Sequence, residues 1–199
     1  MSSEPRRDPV NDFLLTPQNS ALIIIDYQPT QVNSIKSVDH EVLVDHIVTV
    51  AKTAVVYGLP IILSTVNVQT GVNKPTVQPL LDTLGNIKAY DRTTINAWED
   101  VEFRKAVEAT GRKKLVMTAL WTEACLTFPT LDALRTGYDV YPVVDAVGGT
   151  SVDAHLTGLR RVERAGAQLT SIPPLLCELK RDWARKDTVP AFVKLLFKH

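Results

Sequence analysis

Two spacings of hydrophobic residues alternate along the chain. The first is a short, unbroken apolar run: Ala21–Asp26, Pro60–Thr65, Ile87–Tyr90, Lys114–Ala119, Tyr138–Val144 and Ala167–Ile172. Such runs, rich in β-branched residues, predict strands buried on both faces, as in parallel sheets. The second spacing recurs every three or four positions, as at Val42, Leu43, Ile47, Val50, Ala51 and Val55. It predicts a helix over 40–57 that Gly58 terminates. The same spacing predicts helices over 77–84, 100–110, 123–136, 151–165, 174–184 and 189–197. Strand and helix alternate throughout, so the expected fold class is α/β, a three-layer sandwich with a parallel sheet between two helical layers. Residues 1–20 are polar and read as an N-terminal arm, and 21–199 read as a single domain. A length of 199 residues suits one compact core.

Charge narrows the class of partner. The 22 basic residues balance the 22 acidic ones, so the basic surplus that phosphate backbones require is missing. The short basic runs at Arg112–Lys114 and around Arg160, Arg161 and Arg164 read as solvated surface, and no nucleic-acid partner is expected. No apolar run approaches the roughly 20 residues that span a bilayer, so no membrane partner is expected. The N-terminus has no apolar core after its arginines, unlike a secretory signal. Two cysteines, Cys125 and Cys177, are too few for a disulfide framework. These features predict a cytoplasmic protein with free thiols.

In open α/β sheets, ligands sit at the carboxyl ends of the strands. Three residues there can carry chemistry. Asp26 ends the first strand, where a nucleotide-binding fold would need a glycine-rich turn, and neither G-x-G-x-x-G nor a P-loop is present. A carboxylate there suggests a general base, or a turn cap. Cys125 follows the fourth strand in Leu120–Leu126, where Thr122 reads as a helix N-cap. Backbone N–H groups at a helix start favour a thiolate and can hold an oxyanion. The alternative is a structural cysteine. Arg92 follows the third strand and can fix a carboxylate, or simply form a surface ion pair. His40, His46, His155 and His199 show no ligand spacing, so no metal and no cofactor are expected. A serine elbow is absent, and no histidine follows a strand as partner for Cys125. Cys177, in the apolar stretch Leu175–Cys177, reads as structural.

Together these clusters resemble the isochorismatase-like cysteine hydrolases. Thr122-Glu-Ala-Cys125 is similar to that family's T-[ED]-x-C nucleophile turn. Asp26 resembles its base, and Arg92 falls where most members carry lysine. Asn96–Asp100 and Cys177–Trp183 are closer to the YcaC-like subgroup, in which that basic residue is typically arginine. Val144–Ala146 and the helix bearing His155 also match in kind. The resemblance spans about residues 20–185. It implies a six-stranded parallel sheet of Rossmann-like order. It also implies a metal-independent cysteine amidase acting on a C–N bond of a small amide, carbamoyl compound or imide, through a thioester. Cys125, Asp26 and Arg92 would form the catalytic triad. The backbone N–H groups of Trp121 and Cys125 would form the oxyanion hole, beside a cis peptide at Trp121–Thr122. Gln28, Asn96, Trp98 and Trp121 are expected to line the pocket. Nicotinamidases of the family carry an Asp/His metal cluster after the second strand, and Val66–Thr70 has none. A homo-oligomer, tetramer or octamer, is also implied, and the C-terminal stretch Phe192–Phe197 suggests a subunit contact. The rival readings are a non-catalytic oligomeric binding module and a thiol redox sensor on the same fold. A sensor would need Cys177 to resolve Cys125.

Overall fold

The structure is a computed structural model and describes residues 7–197. Its centre is a five-stranded, all-parallel sheet in the order β3-β2-β1-β4-β5. The strands are β1 (Ser20–Ile25), β2 (Ile61–Val66), β3 (Ala89–Arg92), β4 (Lys114–Ala119) and β5 (Asp139–Pro142). All six residues of β1 and all six of β4 are buried. Both strands are central and covered on both faces, which is why their sequences show no polar alternation.

The helices are α1 (Pro29–Ser34), α2 (His40–Tyr57), α3 (Gln78–Leu84), α4 (Val101–Ala109), α5 (Thr127–Arg135), α6 (Val152–Arg164), α7 (Ile172–Lys180) and α8 (Val189–Leu196). Leu22 and Ile24 face a core with Leu43, Ile47, Leu175, Leu176 and Phe192 of α2, α7 and α8. Ala21, Ile23 and Ile25 face the opposite core, with Phe103, Val107, Ala133 and Leu159 of α4, α5 and α6. The expected three layers are therefore present. Asp39 caps α2 through Glu41 and Val42 N–H groups, and Gly58 ends it in the left-handed conformation (φ 69°).

The sheet has five strands rather than six. Residues 167–172 run beside β5 as expected, with Gln168 N–H donating to Val140 O (2.9 Å) and Thr170 N–H to Pro142 O (3.0 Å). The pairing is reduced to a single bridge, Val143 to Thr170. Pro142 has no N–H to contribute, which interrupts the ladder at its middle. Residues 7–19 form no helix or strand, yet Leu15 and Asn19 are buried. Leu15 N–H donates to Glu178 of α7 (2.6 Å), and Asp12 pairs with Arg181 (3.2 Å). Phe192 and Leu195 of the C-terminal helix are core residues, so of the apolar side chains in that stretch only Val193 and Phe197 are exposed. Among the described residues, no helix is long and apolar enough to cross a membrane.

Chain order reverses between β1 and β4: β2 and β3 extend one way from β1, then the chain returns to pair β4 on its other side. A crevice opens beyond the carboxyl ends of adjacent strands at such a point. Asp26 and the Cys125 turn leave the sheet there.

Candidate active site

Asp26 is the residue on which the site turns. It ends β1 with its N–H still donating to Ser64 O (3.0 Å), then adopts a left-handed backbone (φ 64°) and is fully buried. A positive φ at a non-glycine residue costs about 1–3 kcal/mol and needs its surroundings to hold it. Arg92 does so. Its two terminal nitrogens reach the two carboxylate oxygens of Asp26, each at 2.7 Å. The same guanidinium donates to Thr65 O (3.0 Å), Ser64 Oγ (3.2 Å) and Ile95 O (3.1 Å). Arg92 is 3% exposed, so its planar fork is locked by the ends of β1 and β2 and by the loop after β3. Burial works against its charge, but Asp26's hydrogen bonds and charge outweigh this and hold it above its ordinary value.

Cys125 completes the line. Residues Thr122–Leu126 form a five-residue π-turn before α5, where an ordinary helix start was expected. The wider turn brings the Cys125 thiol beside Asp26 and the Trp121 backbone, near enough for both to act on its proton. The expected stabilised thiolate is not what rests there. Burial and the negative charge of Asp26 push the Cys125 thiol up to about 12, against the downward pull of Arg92 and the Trp121 N–H. Burial likewise raises the Asp26 carboxyl, against the pull of Arg92 and the thiol. The resting arrangement is thus a protonated thiol beside a carboxylate that a guanidinium holds. The helix-terminus field is small here because a full charge sits closer.

The cis peptide lies at Leu120–Trp121, one residue earlier than expected. Leu120 N–H still donates to Ile25 O (3.1 Å), continuing the β1–β4 ladder, while Thr122 N–H already bonds Gly148 O (2.9 Å). The change of direction has to fall between those anchors.

The four expected pocket residues have partners of their own. Gln28 is fully buried. Its amide donates to Val66 O (3.1 Å) and Lys74 O (2.6 Å), and its carbonyl accepts from Val66 N–H (2.9 Å). Asn96 bonds Asp132 (2.7 Å) and caps Trp98 N–H (3.0 Å). Trp98 is 4% exposed, packs edge-on to Phe103 and Tyr138, and shares the core of Cys125. Its indole N–H has no partner among the described residues. Trp121 is half-buried and donates to Ser34 Oγ (2.6 Å). These side chains brace the loops around the site, with Trp98 Nε1 the polar group left over.

Several supports were not read from the sequence. Asp91, next to Arg92, accepts from Thr65 Oγ1 (2.9 Å), Val68 N–H (3.1 Å) and Gln69 N–H (2.9 Å), fixing the loop after β2. Thr122 does not cap a helix; its hydroxyl pairs with Nδ1 of His155 (2.9 Å). Glu123 reaches across to Thr150. Adjacency of Asp91 to Arg92, and of Thr122 and Glu123 to Cys125, was the available signal. Cys177 is exposed, contrary to expectation, because α7 turns Leu175, Leu176 and Leu179 inward. It lies on the α7 side of the sheet while Cys125 lies in the opposite core. Among the described residues, no group of three His, Cys, Asp or Glu side chains is placed to hold a metal ion.

Known proteins repeat this arrangement of chain. The family described as the isochorismatase domain matches residues 20–173. The probable hydrolase YcaC of Escherichia coli K12 is 33% identical over 170 residues, 85% of this chain and 81% of that protein. YcaC from Pseudomonas aeruginosa, solved with hexane-2,5-diol and covalent acrylamide, superposes with a TM-score of 0.87 at 32% identity, covering 92% of this chain and 90% of that one. The E. coli YcaC gene product, described as an octameric hydrolase of unknown specificity, gives 0.85 at 32% identity, covering 94% and 90%. With most of its length matched in this way, the chain belongs to the isochorismatase-like hydrolase family.

Proposed function

We propose that this protein is a cysteine hydrolase that cleaves a C–N bond of a small amide, carbamoyl compound or imide without a metal. The supporting observation is the buried two-point ion pair of Arg92 with Asp26, with the Cys125 thiol beside that carboxylate, at the carboxyl ends of β1, β3 and β4. In this reading Asp26 takes the thiol proton as sulfur attacks the substrate carbonyl. The N–H groups of Trp121 and Cys125 receive the oxyanion, each donor contributing roughly 3–4 kcal/mol where measured elsewhere. Asp26 returns the proton to the leaving nitrogen as the C–N bond breaks, giving a thioester. Water, losing its proton to Asp26, hydrolyses the thioester and frees the acid and the thiol. Arg92 keeps its proton throughout and holds Asp26 in line. Acrylamide captures thiols, so a relative that carries it covalently fits a nucleophilic cysteine.

The redox-sensor reading has less support. A disulfide needs Cα atoms within about 7 Å, and the two thiols occupy opposite sides of the sheet. The chain is proposed to act in the cytoplasm as a homo-oligomer, in keeping with the octameric relative.

Ammonia release from a panel of small primary amides, carbamoyl compounds and imides tests the reading. Wild type should turn over at least one class, and Cys125→Ala should lose that turnover while keeping its circular dichroism spectrum. Undiminished turnover by Cys125→Ala would remove the thiol from the reaction.

A further inference from the structure

The nucleophile turn is gripped from two sides. On one side the Cys125 thiol meets Asp26. On the other, the start of α6 and the loop before it close on Thr122 and Glu123. Thr122 Oγ1 lies 2.9 Å from His155 Nδ1, and Thr122 N–H donates to Gly148 O at 2.9 Å. Glu123 Oε1 accepts from both the N–H (3.0 Å) and the hydroxyl (2.5 Å) of Thr150. Its other oxygen is buried without a partner among the described residues. The approach is so close that a Cβ on Gly158 would stand 3.0 Å from Glu123 Cα and 3.1 Å from Thr122 O. A Cβ on Gly149 would meet Glu123 Oε2 at 2.7 Å.

These contacts do not serve helix capping, since Thr122 and Glu123 make no cap hydrogen bond. They fix the first two residues of the five-residue turn that carries Cys125. Trp121 N–H and Cys125 N–H, the proposed oxyanion donors, lie on either side of that pair. A donor array of this kind acts only when held in place before the charge develops.

We propose that His155 is a positioning residue for hydrolysis, acting through the Thr122 hydroxyl to hold the Cys125 turn and its N–H donors in reacting geometry. The inference rests on the cysteine-hydrolase reading and assigns His155 no contact with substrate. A neutral ring accepting from Thr122 suits the site, because burial lowers the imidazole below its ordinary value. The assignment implies that the ring is replaceable by another acceptor at the same height. Asparagine offers its Oδ1 where the imidazole offers Nδ1.

Acylation by p-nitrophenyl acetate, read as the pre-steady-state burst of p-nitrophenolate from the full-length protein, tests it. Wild type should give a burst that Cys125→Ala lacks. His155→Ala should slow the burst about tenfold, the worth of one well-placed hydrogen bond. Its half-saturating ester concentration should stay within about twofold, because the ring touches no substrate. His155→Asn should recover to within about threefold of wild type. Thr122→Val, nearly isosteric and cutting the same bond from the other side, should match His155→Ala, and the double variant should be no slower than either alone. A wild-type burst rate in His155→Ala would overturn the proposal. So would failure of His155→Asn to recover, or multiplicative effects of the two single variants. No Cys125-dependent burst in wild type would instead overturn the hydrolase reading itself, and His155's role with it.

Discussion

Arg92 shows in its geometry what an arginine adds over a lysine. It binds both oxygens of Asp26 and three further acceptors, two near the end of β2 and one in the loop after β3. A lysine has three donors on one nitrogen and could not span that set. Removing the partner of a buried charge is costly, about 3–5 kcal/mol. Arg92→Met should therefore unfold earlier in urea by roughly that amount near neutral pH. The deficit should shrink on acidification. Without Arg92, burial raises Asp26 further above its unfolded value, so the folded variant binds a proton more readily than the unfolded chain. Stability then increases as pH falls through the folded-state value toward the unfolded one, and is lost as pH rises through the folded-state value. A deficit independent of pH would place the cost elsewhere.

At the scale of elements, the fold was legible because burial on both faces writes itself into unbroken runs such as Ala21–Ile25 and Leu115–Ala119. Helix α2 was legible from spacing, its Asp39 cap and Gly58. The last strand was misread because Pro142 removes a donor in its neighbour, a property of the pairing and not of residues 167–172 themselves. The Cys125 turn was misread as an ordinary helix start. Its π geometry follows from contacts with Gly148, Thr150 and His155, which are remote in sequence. The residues of the proposed site, Asp26, Arg92 and Cys125, stood out because each lies at or just beyond the carboxyl end of a strand. The bonds that join them were not, since they cross between strands. Gly158 tests the packing of α6 on the turn. Alanine there gains helix propensity of about 1 kcal/mol. Its Cβ, however, would press on the backbone of Glu123 and Thr122 at 3.0 and 3.1 Å. Overpacking of this kind costs about 1–3 kcal/mol. Gly158→Ala should lower the melting temperature, and an increase would show that α6 can step away from the turn freely.

At the scale of the whole molecule, the surface is the unfinished part. Phe13 is 87% exposed, Phe197 72% and Trp183 61%. Where such side chains gather into one patch they commonly mark subunit contacts. The expectation that the whole C-terminal stretch makes such a contact narrows to Val193 and Phe197, since Phe192 and Leu195 fill the core. Light scattering of the purified protein should give a mass several times the 22.0 kDa of one chain. Phe13→Ser and Phe197→Ser together should lower it. A wild-type monomer would show that these residues are tolerated at a free surface.

The most direct test of the central claim is the pH profile of Cys125 acylation, compared between wild type and Asp26→Asn. With the thiol pushed up to about 12, unaided thiolate would make the rate climb with pH across the whole neutral range. If Asp26 removes the proton, wild type instead shows a plateau. Its acid limb follows the Asp26 carboxyl, which burial sets above the ordinary carboxylate range. Asp26→Asn loses the base and also a charge that raises the thiol. It should replace the plateau with a rate that rises about tenfold per pH unit through neutrality, until the lowered thiol titrates. A plateau that survives in Asp26→Asn would contradict the account, since the proton would then be leaving Cys125 by another route.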